Sequence, residues 1–223
     1  MFPCLFDANY CAKEAYYAVA DPDKYLSEHE DELGIGTTQE GTASYGTPTV
    51  DGVEDEIWDS TEVMNINQQI LAWEGASGTV KALWDEKHLY IFAHVKDGEL
   101  NATGAGAHEK DSVEIFVDQK NDKKGIYGED DGQYRMNYKG QLTFGKVPTK
   151  EGGEAVAKEE PGGYLVEMVI PFNEEMKADT VIGFDAQIND AIKGTRLAIA
   201  KWCDITDNSY LSTENYGNLT LVK

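Results

Sequence analysis

The stretch Asp111-Ser112-Val113-Glu114-Ile115-Phe116-Val117-Asp118 alternates at every step. An extended backbone therefore sends Val113, Ile115 and Val117 to one face of a sheet and Ser112, Glu114 and Phe116 to the other. Two further runs repeat the pattern. In Gln133-Tyr134-Arg135-Met136-Asn137-Tyr138 the polar face carries Gln133, Arg135 and Asn137, and in Phe184-Asp185-Ala186-Gln187-Ile188-Asn189 it carries Asp185, Gln187 and Asn189. A fourth run, 196–202, ends one of its faces with the indole of Trp202. If the four lie in one sheet, that sheet presents planar hydrogen-bonding groups around an aromatic plate. Amides, guanidinium and carboxylate pair with hydroxyls, and an aromatic ring supports the apolar face of a pyranose, so the expected ligand is a sugar.

Outward from this stretch the chain keeps the same texture. Short apolar or alternating runs at 80–84, 89–95, 112–118, 133–138, 164–170, 181–189, 197–202 and 217–222 are separated by turn residues such as Asp85-Glu86-Lys87. No helical periodicity of useful length lies between them. The expected fold is all-β, a jelly-roll-like β-sandwich of about 8 to 10 antiparallel strands. Residues 10–30 instead read as helical with a break at Asp21-Pro22, and 34–45 have the Gly, Thr and Ser content of a linker. The predicted organisation is a short helical tail over 1–32, a linker over 33–44 and a sandwich over 45–223.

Charge and cysteine content narrow the partners. The 223 residues carry 41 acidic and 19 basic side chains, a net charge of −22, which opposes attraction to nucleic-acid phosphates or an anionic membrane surface. No apolar run has the length of a membrane span, and Met1 is not followed by a signal-peptide pattern. Cys4, Cys11 and Cys203 are odd in number and lack metal-ligand spacing. His29, His88, His94 and His108 are too scattered for a metal cluster, and His94 alternates with Tyr90 and Phe92.

Several blocks in register resemble the family 9 carbohydrate-binding modules. They are Tyr45-Gly46-Thr47-Pro48-Thr49-Val50-Asp51-Gly52 with Asp55 and Trp58, Leu83-Trp84-Asp85 with Leu89-Tyr90, the Asp111–Asp118 run, the Gln133–Tyr138 run, Val181-Ile182-Gly183-Phe184 with Gln187-Ile188-Asn189-Asp190, Trp202, and Gly217-Asn218-Leu219. The resemblance implies a non-catalytic module that grips β-1,4-glycans, xylan and cellulose and their oligosaccharides, including capture of reducing ends. It implies Trp202 as an aromatic wall and Glu114, Arg135, Asn137, Gln187 and Asn189 as hydrogen-bonding groups. The family motif often reads Trp-Glu-x-Asp-Ser-Val-Glu where this chain has His108-Glu109-Lys110-Asp111-Ser112-Val113-Glu114, which puts His108 in the place of the second wall. Structural calcium is also implied, with Asp51, Asp55 and Asp118 at matching acidic positions and the loop acids Glu129, Asp130 and Asp131 as further candidates.

Leu5-Phe6-Asp7-Ala8-Asn9-Tyr10 with Ala15-Tyr16-Tyr17 is similar to the end of a family 10 glycoside hydrolase barrel. Together the resemblances imply a secreted, extracellular modular endo-xylanase with its catalytic domain in cis, this chain carrying no catalytic residues. Hydrolysis needs a positioned carboxylate pair in a barrel this chain lacks. The alternative weighed is a haem-binding sandwich of an electron-transfer protein, with His94 and either Met136 or Met168 as axial ligands.

Overall fold

The computed structural model describes residues 14–28, 38–72, 74–145 and 153–223. The chain divides into two units, Met1–Thr37 and Thr38–Lys223. In the first, helix α1 (Glu14–Ala20) and helix α2 (Pro22–Glu28) flank Asp21. Pro22 opens α2, where its missing N–H costs nothing, and Asp21 Oδ1 accepts from Lys24 N at 3.2 Å. The barrel-like segment 5–10 lies outside the described residues, as do Cys4 and Cys11. No helix among the described residues is long and apolar enough to cross a membrane.

Among the described residues the second unit is a β-sandwich of thirteen strands. In chain order they are β1 (Glu40–Tyr45), β2 (Met64–Ile66), β3 (Gln68–Ile70), β4 (Ser77–Trp84), β5 (His88–Lys96), β6 (Ser112–Asp118), β7 (Asp131–Asn137), β8 (Leu142–Phe144), β9 (Glu154–Glu160), β10 (Gly163–Pro171), β11 (Val181–Ile192), β12 (Thr195–Lys201) and β13 (Gly217–Val222). The hydrogen-bonded order is β8-β7-β6-β11-β13-β1-β4-β5-β10-β9, with β12 between β11 and β3, and β2 beside β4.

Two expectations are corrected here. Residues 40–44, read as linker, form most of β1, which pairs in parallel first with β13 and then with β4. Its run Glu-Gly-Thr-Ala-Ser-Tyr has too few apolar residues to show a period, and it is a strand because both neighbours offer it hydrogen bonds. The strand total also exceeds 8 to 10, because β1, β2, β3, β8 and β9 are short or polar.

One apolar cluster fills the space between the layers. Val113, Ile115 and Val117 of β6 meet residues such as Ile91 of β5, Val166 and Met168 of β10, and Ile188 of β11. A smaller cluster of Trp58, Leu83, Tyr90 and Phe92 lies on the other face of β4 and β5. These faces decide the haem alternative against itself. Met136 and Met168 are each 1% exposed inside the main cluster, whereas His94 points outward, half exposed, to a contact with Glu160.

Candidate functional site

The register of β7, β6, β11 and β12 builds the polar floor. Glu114 of β6 sits opposite Arg135 of β7 on one side and Gln187 of β11 on the other, and Gln187 in turn faces Lys201 of β12. Because alternate residues share a face, Ser112, Phe116, Gln133, Asn137, Asp185 and Asn189 join the same surface. Above part of it opens a cleft of about 690 Å³ lined by Glu114, Phe116, Gln133, Arg135 and Gln187. Phe144 of β8, Arg196 of β12 and the loop residues His108, Ile126, Tyr127, Asp207, Tyr210 and Leu211 complete its walls.

Glu114 is the hub. Its carboxylate accepts from Arg135 Nε at 2.6 Å, Arg135 Nη2 at 3.0 Å, Gln133 Nε2 at 2.6 Å and Asn189 Nδ2 at 2.6 Å. Burial alone would raise its pKa, but the Arg135 charge and the hydrogen bonds from Arg135, Gln133 and Asn189 outweigh burial and hold it below the ordinary carboxylate value. With four donors already on two oxygens, Glu114 has little capacity left for a ligand. Its chemical contribution is to orient the donors around it.

The network continues across the sheet. Gln187 Nε2 donates to Asn189 Oδ1 at 2.7 Å, and Lys201 Nζ donates to Gln187 Oε1 at 3.1 Å. Lys201 is fully buried against Asp185, with Nζ to Oδ2 at 2.6 Å. Ser209 Oγ lies 2.9 Å from Asp185 Oδ2 and 2.8 Å from Asp204 Oδ2. Arg196 reaches Asn189 Oδ1 at 3.2 Å and Asp207 Oδ2 at 3.4 Å. A wall of two tyrosines closes one side, where the Tyr127 and Tyr216 hydroxyls lie 2.6 Å apart and Tyr216 donates to Ser209 O at 2.6 Å. Arg135, Lys201 and Arg196 each have an acid partner on this floor, so no cation is left uncompensated. The rim is apolar: Ile126, Tyr210 and Leu211 are 81%, 52% and 54% exposed.

The structure brings Glu114, Arg135, Gln187 and His108 to the cleft, with Asn189 bonded directly behind Glu114. Asn137 shares the face, but its Oδ1 accepts from Lys139 N and Gln141 N at 3.0 Å each, so it anchors the turn after β7. Trp202 requires correction. Its indole is 4% exposed, packs against Phe184 at 5.4 Å between centroids, and belongs to the core. A Cβ added to Gly217 would lie 2.4 Å from that ring, so a glycine there makes room for it. Alternation is the reason: since Lys201 faces Gln187, its neighbour Trp202 must face the interior. Lys201 and Leu211 are absent from the site set read in the sequence. Lys201 was legible from strand period, whereas a loop residue such as Leu211 carries no periodic signal.

The acidic positions also regroup. Asp118 lies with Asp130 and Asp131, with one oxygen of each within 4.8 Å of the others, and all three are buried. Asp51 and Asp55 stand elsewhere, shaping the 49–55 loop by accepting from Val53 N at 2.9 Å and Thr49 N at 2.7 Å. Glu129 is exposed and outside the trio. Asp131 Oδ1 is buried without a partner, and burial with the neighbouring acids pushes its pKa up to about 6. Buried, crowded carboxylate oxygens with an unmet acceptor fit a hard cation.

The chain is 43% identical over 185 residues to the exoglucanase XynX of Acetivibrio thermocellus, covering 82% of this chain and 17% of that protein. It is 39% identical over 227 residues to endo-1,4-beta-xylanase A of Thermotoga maritima, covering 98% of this chain and 21% of that one. It thus spans about a fifth of these relatives' length. A family 9 module from Caldicellulosiruptor kristjanssonii, solved in complex with cellotriose, superposes with a TM-score of 0.78 at 30% identity over 82% of this chain and 94% of that one. A family 9 module from the same organism, solved in complex with glucose, has a TM-score of 0.78 at 31% identity. Residues 50–223 match the family described as carbohydrate family 9 binding domain-like, and the chain belongs to the family 9 carbohydrate-binding modules.

Proposed function

We propose that the cleft binds β-1,4-linked cello- and xylo-oligosaccharides and the ends or segments of the corresponding polysaccharides. The observation that carries this reading is the oriented network centred on Glu114. A floor whose carboxylates are already satisfied leaves guanidinium and amide N–H groups of Arg135, Gln133 and Gln187 to meet sugar hydroxyls. Tyr210, Leu211 and Ile126 supply the apolar rim against which a pyranose face packs, with His108 also lining the cleft in place of a larger ring. A floor whose cations are all paired suits a neutral ligand. Complexes of relatives with cellotriose and glucose support the same ligand class.

In this reading the chain serves in an extracellular xylanase, holding an attached catalytic domain near plant cell-wall polysaccharide, and the xylanase relatives support that context. Calcium held by Asp118, Asp130 and Asp131 would fasten the 118–131 loop, which carries Ile126 and Tyr127 into the cleft. Titration calorimetry with cellotriose and xylotriose tests the binding. Heats fitting a micromolar to millimolar Kd, roughly 4 to 8 kcal/mol, are expected. The absence of heat with both series at millimolar sugar would overturn the proposal.

A further inference from the structure

Ser209 stands under the apolar rim of the cleft and is held at both its side chain and its backbone. It belongs to the 202–216 loop between β12 and β13 and is 1% exposed. Its Oγ lies 2.9 Å from Asp185 Oδ2 and 2.8 Å from Asp204 Oδ2, and it meets Lys201 Nζ. The hydroxyl hydrogen serves the carboxylates while the oxygen accepts from the ammonium. Its backbone carbonyl accepts from the Tyr216 hydroxyl at 2.6 Å and from the Tyr127 hydroxyl.

The acids beneath Ser209 are themselves fixed. Asp185 Oδ1 accepts from Ala186 N at 2.9 Å and Cys203 N at 3.0 Å, and Asp204 Oδ1 accepts from Thr206 N at 2.8 Å and Thr206 Oγ1 at 2.6 Å. Burial would raise the Asp204 pKa, but the bonds from Thr206, the Lys201 charge and the bond from Ser209 hold it below the ordinary value. A serine beside a lysine has the parts of a nucleophile and its base. Ser209 and Lys201 are at most 1% exposed, however, so no ligand reaches either.

What the cluster holds is the next two side chains. Tyr210 and Leu211 are about half in solvent, and their direction comes from the turn that carries them. That turn is closed by Asn208 O, which accepts from Leu211 N at 2.8 Å and Ser212 N at 3.0 Å. The same loop is tied to the 119–130 loop, since Thr213 N donates to Lys124 O at 2.9 Å and Lys124 N to Thr213 Oγ1 at 2.9 Å. Tyr127 and Tyr210, one from each loop, both line the cleft.

We infer that Ser209 is a positioning residue of the sugar cleft: it touches no ligand, and it joins both loops to the buried Asp185–Lys201 pair so that Tyr210 and Leu211 are presented for stacking before the sugar arrives. The inference rests on the sugar-binding reading of the cleft. Stacking depends on ring direction, and a rim that had to be ordered on binding would lose part of that energy to side-chain and loop ordering.

Calorimetry with cellotriose on the wild type, Ser209→Ala, Tyr210→Ala and the double variant, each well below its melting temperature, tests this as a double-mutant cycle. Ser209→Ala should lower affinity about 2- to 10-fold, the share that oriented stacking supplies. On the Tyr210→Ala background the same change should cost less than about twofold. A merely structural serine would lower the melting temperature and leave affinity unchanged, or lower affinity equally on both backgrounds, and either result overturns the proposal. Tyr216→Phe carries the test if Ser209→Ala does not fold. It keeps a ring against Phe116, outside the cleft lining, while the Ser209 carbonyl loses a donor. A smaller loss of affinity that vanishes on the Tyr210→Ala background is expected, and unchanged affinity there overturns the proposal. No heat from the wild-type chain overturns the sugar reading itself, whereas wild-type binding with an additive cycle overturns only the role of Ser209.

Discussion

Replacing Glu114 by Gln changes two atoms' worth of chemistry and tests the whole floor. The carboxylate side chain is 2% exposed and its partner Arg135 12% exposed. Removing one partner of such a buried pair leaves the other charge uncompensated, at a cost of about 3 to 5 kcal/mol. Arg135 keeps some solvent contact, which places the effect near 3. For a domain of this size each kcal/mol moves the melting temperature by roughly 2 to 4 °C, so a fall of about 6 to 12 °C is expected at pH 7. The Gln amide also brings a donor where Gln133 or Asn189 already donates, so one of those amides must turn away. Losing one charge-assisted hydrogen bond of the orienting set, about 1.5 to 3 kcal/mol, should weaken oligosaccharide binding roughly 10- to 150-fold. The pH dependence carries a definite sign. A carboxyl whose folded pKa is lowered contributes stability above its unfolded value and loses it as pH falls through the folded value. The gap between wild type and Glu114→Gln should therefore be constant from pH 6 to 8 and close as pH drops below roughly 4.5. Paired thermal melts and calorimetry across that range measure all three effects. A variant that melts within 2 °C of wild type and binds sugar as well would refute the claim that Glu114 organises the floor.

The remaining predictions separate core from cleft. Trp202→Ala should cost about 3 to 5 kcal/mol of stability by opening a cavity beside Phe184; normal melting with lost sugar binding would restore the indole to the ligand surface. Tyr210→Ala should leave the melting temperature within 1 to 2 °C, its ring being half exposed, and reduce affinity by something like 0.5 to 1.5 kcal/mol beyond lost contact area. His108→Trp, which enlarges the facing wall, should raise affinity by a similar amount in the same titration, and no change would remove the 107–109 turn from the ligand path.

What the sequence determined by itself was the period-two layer. The alternation in 111–118, 133–138 and 184–189 indicated the fold class and grouped Gln133, Arg135 and Asn137, and likewise Gln187 and Asn189, within their own strands, because side chains two apart on a strand must share a face; the pairing of those strands with β6 is what brings Glu114 to the same surface. The family resemblance, not the periodicity, set Asp118 beside Asp51, Asp55, Glu129, Asp130 and Asp131 as acidic candidates without saying which of them meet. Tertiary structure decided the rest. Alternation separates Lys201 from Trp202 but does not say which of them meets Gln187; the β11–β12 register does, and it turns the indole inward. Asp130 and Asp131 join Asp118 because β6 and β7 pair Asp118 with Asp131, whereas Asp51 and Asp55 are held in a distant loop. The strand at 40–45 exists because β13 and β4 offer it partners, and Ile126, Tyr210 and Leu211 meet at one rim because separate loops end there. Periodicity is a local property that a chain carries in its own spacing, while register, loop convergence and the choice of inner face depend on contacts between residues far apart in sequence.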